Sequence, residues 1–78
     1  MPRYYFDVRD GDAFAEDDEG LEFDGIEAAQ NKATCALGEL ARGVLPGATR
    51  RVIAVEVRDE AKFPLLRAML LFQVGPLA

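Results

Sequence analysis

The chain has 78 residues, of which 50% are hydrophobic, and a net charge of −5 at pH 7. This composition excludes a disordered chain and favours one domain over residues 1–78, while the acidic balance argues against general nucleic-acid binding. A single cysteine excludes an internal disulfide and favours a reducing compartment, and the longest apolar run, Ala68–Phe72, is too short to cross a bilayer. No signal peptide is recognisable, so we expect a cytoplasmic protein without membrane contact.

Apolar and polar residues alternate in the first part of the chain, and this period of two predicts β-strands. We expect strands at Arg3–Val8, Ala13–Glu16 and Leu21–Phe23, the last with both apolar residues turned inward. The segments between them, Asp10–Asp12 and Asp17–Gly20, have the composition of tight turns.

The next segment, Asp24–Val44, has the period of an amphipathic helix. Its apolar stripe comprises Ile26, Ala29, Ala33, Ala36, Leu37, Leu40 and Val44. Asp24 and Glu27 have the spacing of a capping box, which predicts the start of the helix. Gly43, as a left-handed residue, and the following Pro46 predict its end.

Two longer strands are predicted after the helix, at Arg51–Arg58 and Leu65–Val74, with a hairpin loop over residues 59–64. The predicted order is therefore β-β-β-α-β-β. A single helix can bury its stripe only against a sheet, so we expect a two-layer α+β domain. In it, an antiparallel β-sheet is covered on one face by the helix and left open on the other.

Four segments of the chain together resemble DUF6894, a family of short bacterial proteins known only as a domain of unknown function. They are the opening block Met1–Gly11, the acidic turn Asp17–Gly20, the helix start Ile26–Ala29 and the strand and turn Val55–Glu60. The resemblance covers nearly the whole chain and implies no activity, cofactor or site residue. One departure is Ala61–Phe63, which replaces a glycine-containing turn.

Most catalytic chemistry is excluded by residue types, because the chain contains no His, Ser or Trp. Cys35 is the only thiol and has no imidazole to activate it, and one cysteine without histidine cannot hold a structural zinc ion. We therefore predict that the protein is not an enzyme, with no catalytic residues and no cofactor.

Neither the acidic nor the basic cluster predicts a ligand site. The acidic residues Asp10, Asp12, Asp17 and Asp18 lack calcium-loop spacing, because Phe14 occupies the third ligand position. We predict no metal site, since tight turns use the same residues. Arg50 and Arg51, near Arg42, could contact phosphate, but a solvated loop and strand start is the favoured explanation in a chain with net negative charge.

Two surfaces are candidates for contact with a partner. If the long strands are neighbours, the face opposite the helix carries apolar residues where a solvated sheet would be polar: Tyr5, Val52, Ala54, Leu65, Met69 and Leu71. A second strip, of small or polar residues on the outer side of the helix, contains Asn31, Thr34, Cys35 and Gly38. This strip is either a contact for a second helix or an ordinary exposed surface, and in both cases we expect an exposed Cys35 thiol.

These observations predict a small protein-interaction module that forms a homodimer. The alternative is a regulator that binds a different protein, because the acidic hairpin before a helix is also similar to the architecture of HicB-like antitoxins. The charge is uneven, since residues 1–41 contain eleven acids and three bases for a net charge of −8. Such a distribution can steer association with a partner.

Overall fold

The computed structural model describes residues 1–77 and contains one helix and five strands in one antiparallel sheet. In chain order the elements are β1 (Arg3–Asp10), β2 (Ala13–Ala15), β3 (Leu21–Glu22), α1 (Ile26–Val44), β4 (Arg50–Arg58) and β5 (Pro64–Gln73). The helix covers one face of the sheet. The predicted two-layer α+β fold and its element order are confirmed.

The strand order β2-β1-β4-β5 places the C-terminal hairpin at one edge of the sheet. β4 is central and pairs along its length with β1 and β5, while β2 and β3 pair with the two ends of β1. β5 has a strand neighbour on one side within residues 1–77. The longest strand is therefore an edge strand.

The core lies between α1 and the C-terminal hairpin. Ile53, Val55 and Val57 of β4 are fully buried, and each contributes roughly 1.5–3 kcal/mol as an upper bound. Ala29 and Ala33 have no exposed surface, because the small side chains let the helix approach the sheet closely. The helix lies closest to β4 and β5, and Tyr4 and Phe6 of β1 pack against the same core.

The predicted start of the helix is wrong by one residue at the N-cap, whereas the predicted last residue, Val44, is confirmed. The N-cap is Gly25, with no side-chain hydrogen bond, so the capping box of Asp24 and Glu27 does not form. A backbone hydrogen bond from Phe23 to Pro2 fixes the chain just before the helix, and this places Gly25 at the last extended position. These non-local contacts override the local capping signal.

At the other end, Gly43 lies inside the helix and Leu45 is the C-cap, in right-handed conformation. The left-handed residue comes later, at Gly47, where φ is 87°. Pro46 stops the helix because it has no N–H to donate. The predicted role of Gly43 is therefore wrong, although the predicted stop at Pro46 is confirmed.

Two residues expected to be buried are exposed. Ile26, at the first turn of α1, is 45% exposed, while Ala29, Ala33 and Leu37 of the same stripe are buried. Leu21 of β3 is 46% exposed. Both residues are exposed for the same reason: the helix lies over β4 and β5 and does not cover the β3 side of the sheet.

The predicted hairpin loop is confirmed, with an unusual backbone. Lys62 has a φ of 68°, a conformation that favours glycine. The Asp59 carboxylate accepts hydrogen bonds from the N–H groups of Ala61 and Phe63 and holds the loop closed. No helix within residues 1–77 is long and apolar enough to cross a membrane.

Candidate interaction surface

The face of the sheet opposite the helix is divided into an apolar half and an ion-paired half. Strand register aligns Val52 with Leu71 and Ala54 with Met69. These four residues are called the apolar half. The next pair along the same two strands is Glu56 with Arg67, which begins the ion-paired half.

Exposure within the apolar half is uneven. Leu71 is 71% exposed, Met69 48% and Val52 39%, whereas Ala54 is only 4% exposed. Ala54 therefore forms the floor of a shallow depression, whose walls include Val52 and Met69. Three large side chains are available for contact, and Ala54 shapes the surface between them.

The other two predicted surface residues do not join this group. Tyr5 is half-buried, with its ring 4.5 Å beneath the guanidinium carbon of Arg58. Leu65 lies at a bulge near Arg58, and Arg67 separates it from Met69 along the strand. The strand neighbours predicted these positions on one face, but the arginine rows interrupt the apolar surface.

The ion-paired half is built on Glu56. Its carboxylate lies 2.8 Å from Nε of Arg9 and 3.0 Å from a terminal nitrogen of Arg67. Pairs this exposed contribute little to stability. They do hold both guanidinium groups beside the apolar half, where they also line the depression over Ala54. Arg9 and Arg67 are not among the surface residues predicted from the sequence, although strand alternation identifies both once the strand order is known.

A buried ion pair lies beyond this row. Asp7 is 5% exposed, and its carboxylate accepts hydrogen bonds from Nε of Arg58 at 2.9 Å and from the Asp17 N–H at 2.9 Å. Arg58 also donates to the Asp17 carbonyl at 2.7 Å. The charges of Asp7 and Arg58 are thus neutralised and hydrogen-bonded, as buried charges require.

The acidic turn Asp17–Gly20 is held by its first residue. The Asp17 carboxylate accepts hydrogen bonds from the backbone N–H groups of Phe6, Glu19 and Gly20 at 3.0–3.2 Å. Partial burial would raise the pKa of Asp17, but these hydrogen bonds and nearby Arg58 lower it below its ordinary value. The turn is therefore a structural clamp on β1.

Gly20 is required by this clamp. Its φ is 70°, and an added Cβ would lie 2.9 Å from the carbonyl oxygen of Tyr4. Any larger residue would push the turn away from β1. Among residues 1–77, no group of three or more acidic or cysteine side chains is placed to hold a metal ion.

The basic cluster suggested by the sequence is divided. Both Nε and a terminal nitrogen of Arg51 donate to Asp10, each at 2.7 Å. This bidentate pair lowers the pKa of Asp10 and raises that of Arg51, mainly through the hydrogen bond between them. Arg42 and Arg50 are exposed.

The helix strip Asn31, Thr34, Cys35 and Gly38 is exposed throughout, including the Cys35 thiol as predicted. An added Cβ at Gly38 would meet nothing within 4 Å, so no internal packing requires glycine there. Gly38 also lines a shallow groove with Leu45 and with Phe72 of β5. That side of the helix therefore faces the free edge of the sheet.

These features define a small α+β domain with a half-apolar open face and a long unpaired edge. The model for a family described as a domain of unknown function (DUF6894) matches residues 3–71. The chain belongs to this family, as its sequence resemblance predicted. No curated protein and no solved structure matches the chain, so the likeness to HicB-like antitoxins has no support from these comparisons.

Proposed function

We propose that this protein is a non-catalytic interaction module of the cytoplasm that forms a homodimer. The observation that carries the proposal is the apolar half of the open face, where Val52, Met69 and Leu71 are exposed side by side. A solvated antiparallel face carries polar residues, and contiguous exposed apolar surface usually marks an interaction site. Met69 and Leu71 lie near the centre of the interface.

The total exposed area supports an interface of ordinary size. A compact monomer of this mass exposes about 4,700 Å², whereas this chain exposes 5538 Å². The excess of roughly 800 Å², to which the exposed residues 74–77 contribute, is of the same order as the area that each partner buries in a standard complex. The chain therefore has enough exposed surface to form an interface with a second copy.

A different protein is the alternative partner. The net charge of −8 in residues 1–41 favours a basic protein, in the manner of an antitoxin-type regulator and its target. In both cases the proposed role is binding without catalysis. The strongly paired charges support it, since Asp7, Asp10 and Asp17 are engaged in holding the fold together.

Sedimentation velocity across the micromolar range tests the homodimer. The parent protein should sediment as a dimer, and the double substitution Met69→Lys and Leu71→Lys should give a folded monomer, because four like charges would lie close together at the interface. A control that adds the same charge at exposed apolar positions elsewhere, Ile26→Lys with Phe63→Lys, should remain dimeric. Circular dichroism establishes that each variant is folded.

A parent protein that stays monomeric at high micromolar concentration contradicts the homodimer. The apolar half would then bind a different protein. Co-purification from the native cell would decide that case, with the Met69→Lys and Leu71→Lys variant as the negative control for specific capture.

A further inference from the structure

β5 has the features of an interface strand. It is ten residues long and lies at the edge of the sheet. Arg67 is its only charged residue, whereas proteins usually protect edge strands by charges, short length or coverage. Its outer edge presents a row of backbone groups to solvent.

The hydrogen-bond pattern identifies those backbone groups. The Val74 N–H donates to the Thr49 carbonyl, which sets the alternation between β4 and β5. In an antiparallel pair only every second residue bonds to the neighbour. The backbone groups of Leu70 and Phe72 therefore point to β4, and those of Arg67, Met69, Leu71 and Gln73 point outward.

We propose that the homodimer forms by antiparallel pairing of β5 with β5 of a second copy, which joins the two sheets into one. This inference rests on the proposed self-association and adds how it occurs. The residues with outward backbone groups include Met69 and Leu71, so the edge and the apolar half are one continuous surface. Edge pairing also satisfies backbone groups that sheet-on-sheet packing would leave exposed.

One register suits the side chains best. With Leu70 facing Leu70 across a two-fold axis, Met69 pairs with Leu71 of the second copy, and Arg67 pairs with Gln73. Apolar residues then meet apolar residues, and Arg67 faces a neutral amide instead of another cation. On the helix side of the sheet, small Ala68 faces large Phe72.

The position of the helix fits the same arrangement. α1 packs on β4 and β5, and neighbouring strands lie about 4.8 Å apart. A helix above the midline of these strands would lie about 10 Å from the second helix, and a helix above β4 about 14 Å, so the two helices would lie side by side across the joined edge. The side of α1 that faces the free edge carries Gly38, whose missing side chain permits this approach.

Two substitutions at one position distinguish edge pairing from packing of the open faces. Leu71→Pro removes the outward N–H and leaves the hydrogen bonds to β4 in place, whereas Leu71→Ala removes the side chain and keeps the N–H. Edge pairing predicts loss of the dimer in Leu71→Pro and a weakened but measurable dimer in Leu71→Ala. Equal weakening by both overturns edge pairing and leaves the homodimer itself intact.

Disulfide formation tests the register without proline. In a Cys35→Ala background, Met69→Cys and Leu71→Cys proteins are mixed and oxidised. Paired Cα atoms would be about 5.5 Å apart, within disulfide range. The mixture should cross-link more than either protein alone, where the two thiols belong to different pairs. No preference for the mixture, with a dimeric parent, overturns the proposed pairing, whereas a monomeric parent contradicts the proposed function.

Discussion

Asp7 and Arg58 illustrate how one buried pair holds several elements together. Asp7 lies on β1 and Arg58 on β4, and both contact the loop after β2 through Asp17. These hydrogen bonds replace the hydrogen bonds to water that each charged group loses on burial. Losing one partner is therefore more harmful than losing both.

Substituting Arg58 by Met should destabilise the protein by about 3–5 kcal/mol, because the Asp7 carboxylate would remain buried without its counter-charge. Urea unfolding of the monomeric variant measures the free energy of unfolding. The double substitution Asp7→Val with Arg58→Met should be less destabilised than the single one. If the double variant were the less stable of the two, the pair would not be acting as a buried charge pair.

Asp17 gives the fold a dependence on pH. Its pKa in the folded chain lies below the ordinary value of 3.8, so its carboxylate stabilises the fold above that pH. This contribution is lost as the pH falls through the folded-state pKa. Asp17→Asn should cost about 1–3 kcal/mol at neutral pH, and its difference from the parent should narrow at acidic pH.

Thermal melting across pH 2–7 checks this expectation. Asp18→Asn is the matched control, because Asp18 is exposed and adjacent to Asp17. It should differ from the parent by less than about 0.5 kcal/mol at every pH. A difference for Asp17→Asn that stayed constant with pH would mean that its effect is not electrostatic.

At the scale of elements, the hairpin between β4 and β5 carries local strain. Lys62 occupies a left-handed conformation that costs an L-residue about 1–2 kcal/mol. Glycine would avoid this cost, but its greater conformational freedom in the unfolded chain offsets part of the gain. Lys62→Gly should raise the free energy of unfolding by up to about 1 kcal/mol in urea titration. Ala61→Gly, where φ is not positive, should lower it instead.

The helix contains two exposed glycines that allow a matched comparison. Gly38 and Gly43 both lie inside α1, and an added Cβ meets nothing at either position. Each change to alanine should stabilise the Met69→Lys and Leu71→Lys monomer by about 1 kcal/mol. In the proposed dimer of the parent protein, Gly38→Leu should weaken association while Gly43→Leu should not, as measured by sedimentation.

Sequence periodicity was sufficient to predict the elements in which buried residues recur at a regular interval. The stripe through Ala29, Ala33 and Leu37 and the alternation in β4 each repeat one signal several times. The start of the helix was predicted wrongly because it depends on one contact, the hydrogen bond from the Phe23 N–H to the Pro2 carbonyl. Local capping preference cannot include a partner 21 residues away in the sequence.

The predicted apolar surface is only partly continuous in the structure, for a related reason. Alternation correctly assigns residues to faces, but the strand order and register decide which of them are neighbours. Tyr5 shares a face with Met69 and yet lies beneath Arg58, in the ion-paired half. The free edge of β5 has no sequence signature, because any strand can be central or terminal until the order is known.

The whole molecule is thin and long for its size. Its radius of gyration is 13.9 Å, compared with about 11.5 Å for a typical chain of this length. Two layers with one helix leave much of the sheet uncovered. Association with a second copy would increase the buried surface of such a domain.

The strand order also separates charge across the sheet. Residues 1–24, which form β1, β2, β3 and their turns, contain nine acids and two bases, whereas residues 45–77 contain three acids and five bases. The two edges are therefore chemically different. One is long and nearly uncharged, and the other is short and strongly acidic.

This difference determines where growth stops. In the proposed β5–β5 dimer, each outer edge of the enlarged sheet is the acidic side formed by β2 and β3. These strands are only three and two residues long, and the negative charge around them repels the same edge of another copy. The proposed assembly should therefore close at two copies instead of extending into a filament. Light scattering at rising concentration should reach the mass of a dimer and remain there, and the limit should persist at low ionic strength, where the repulsion is greatest.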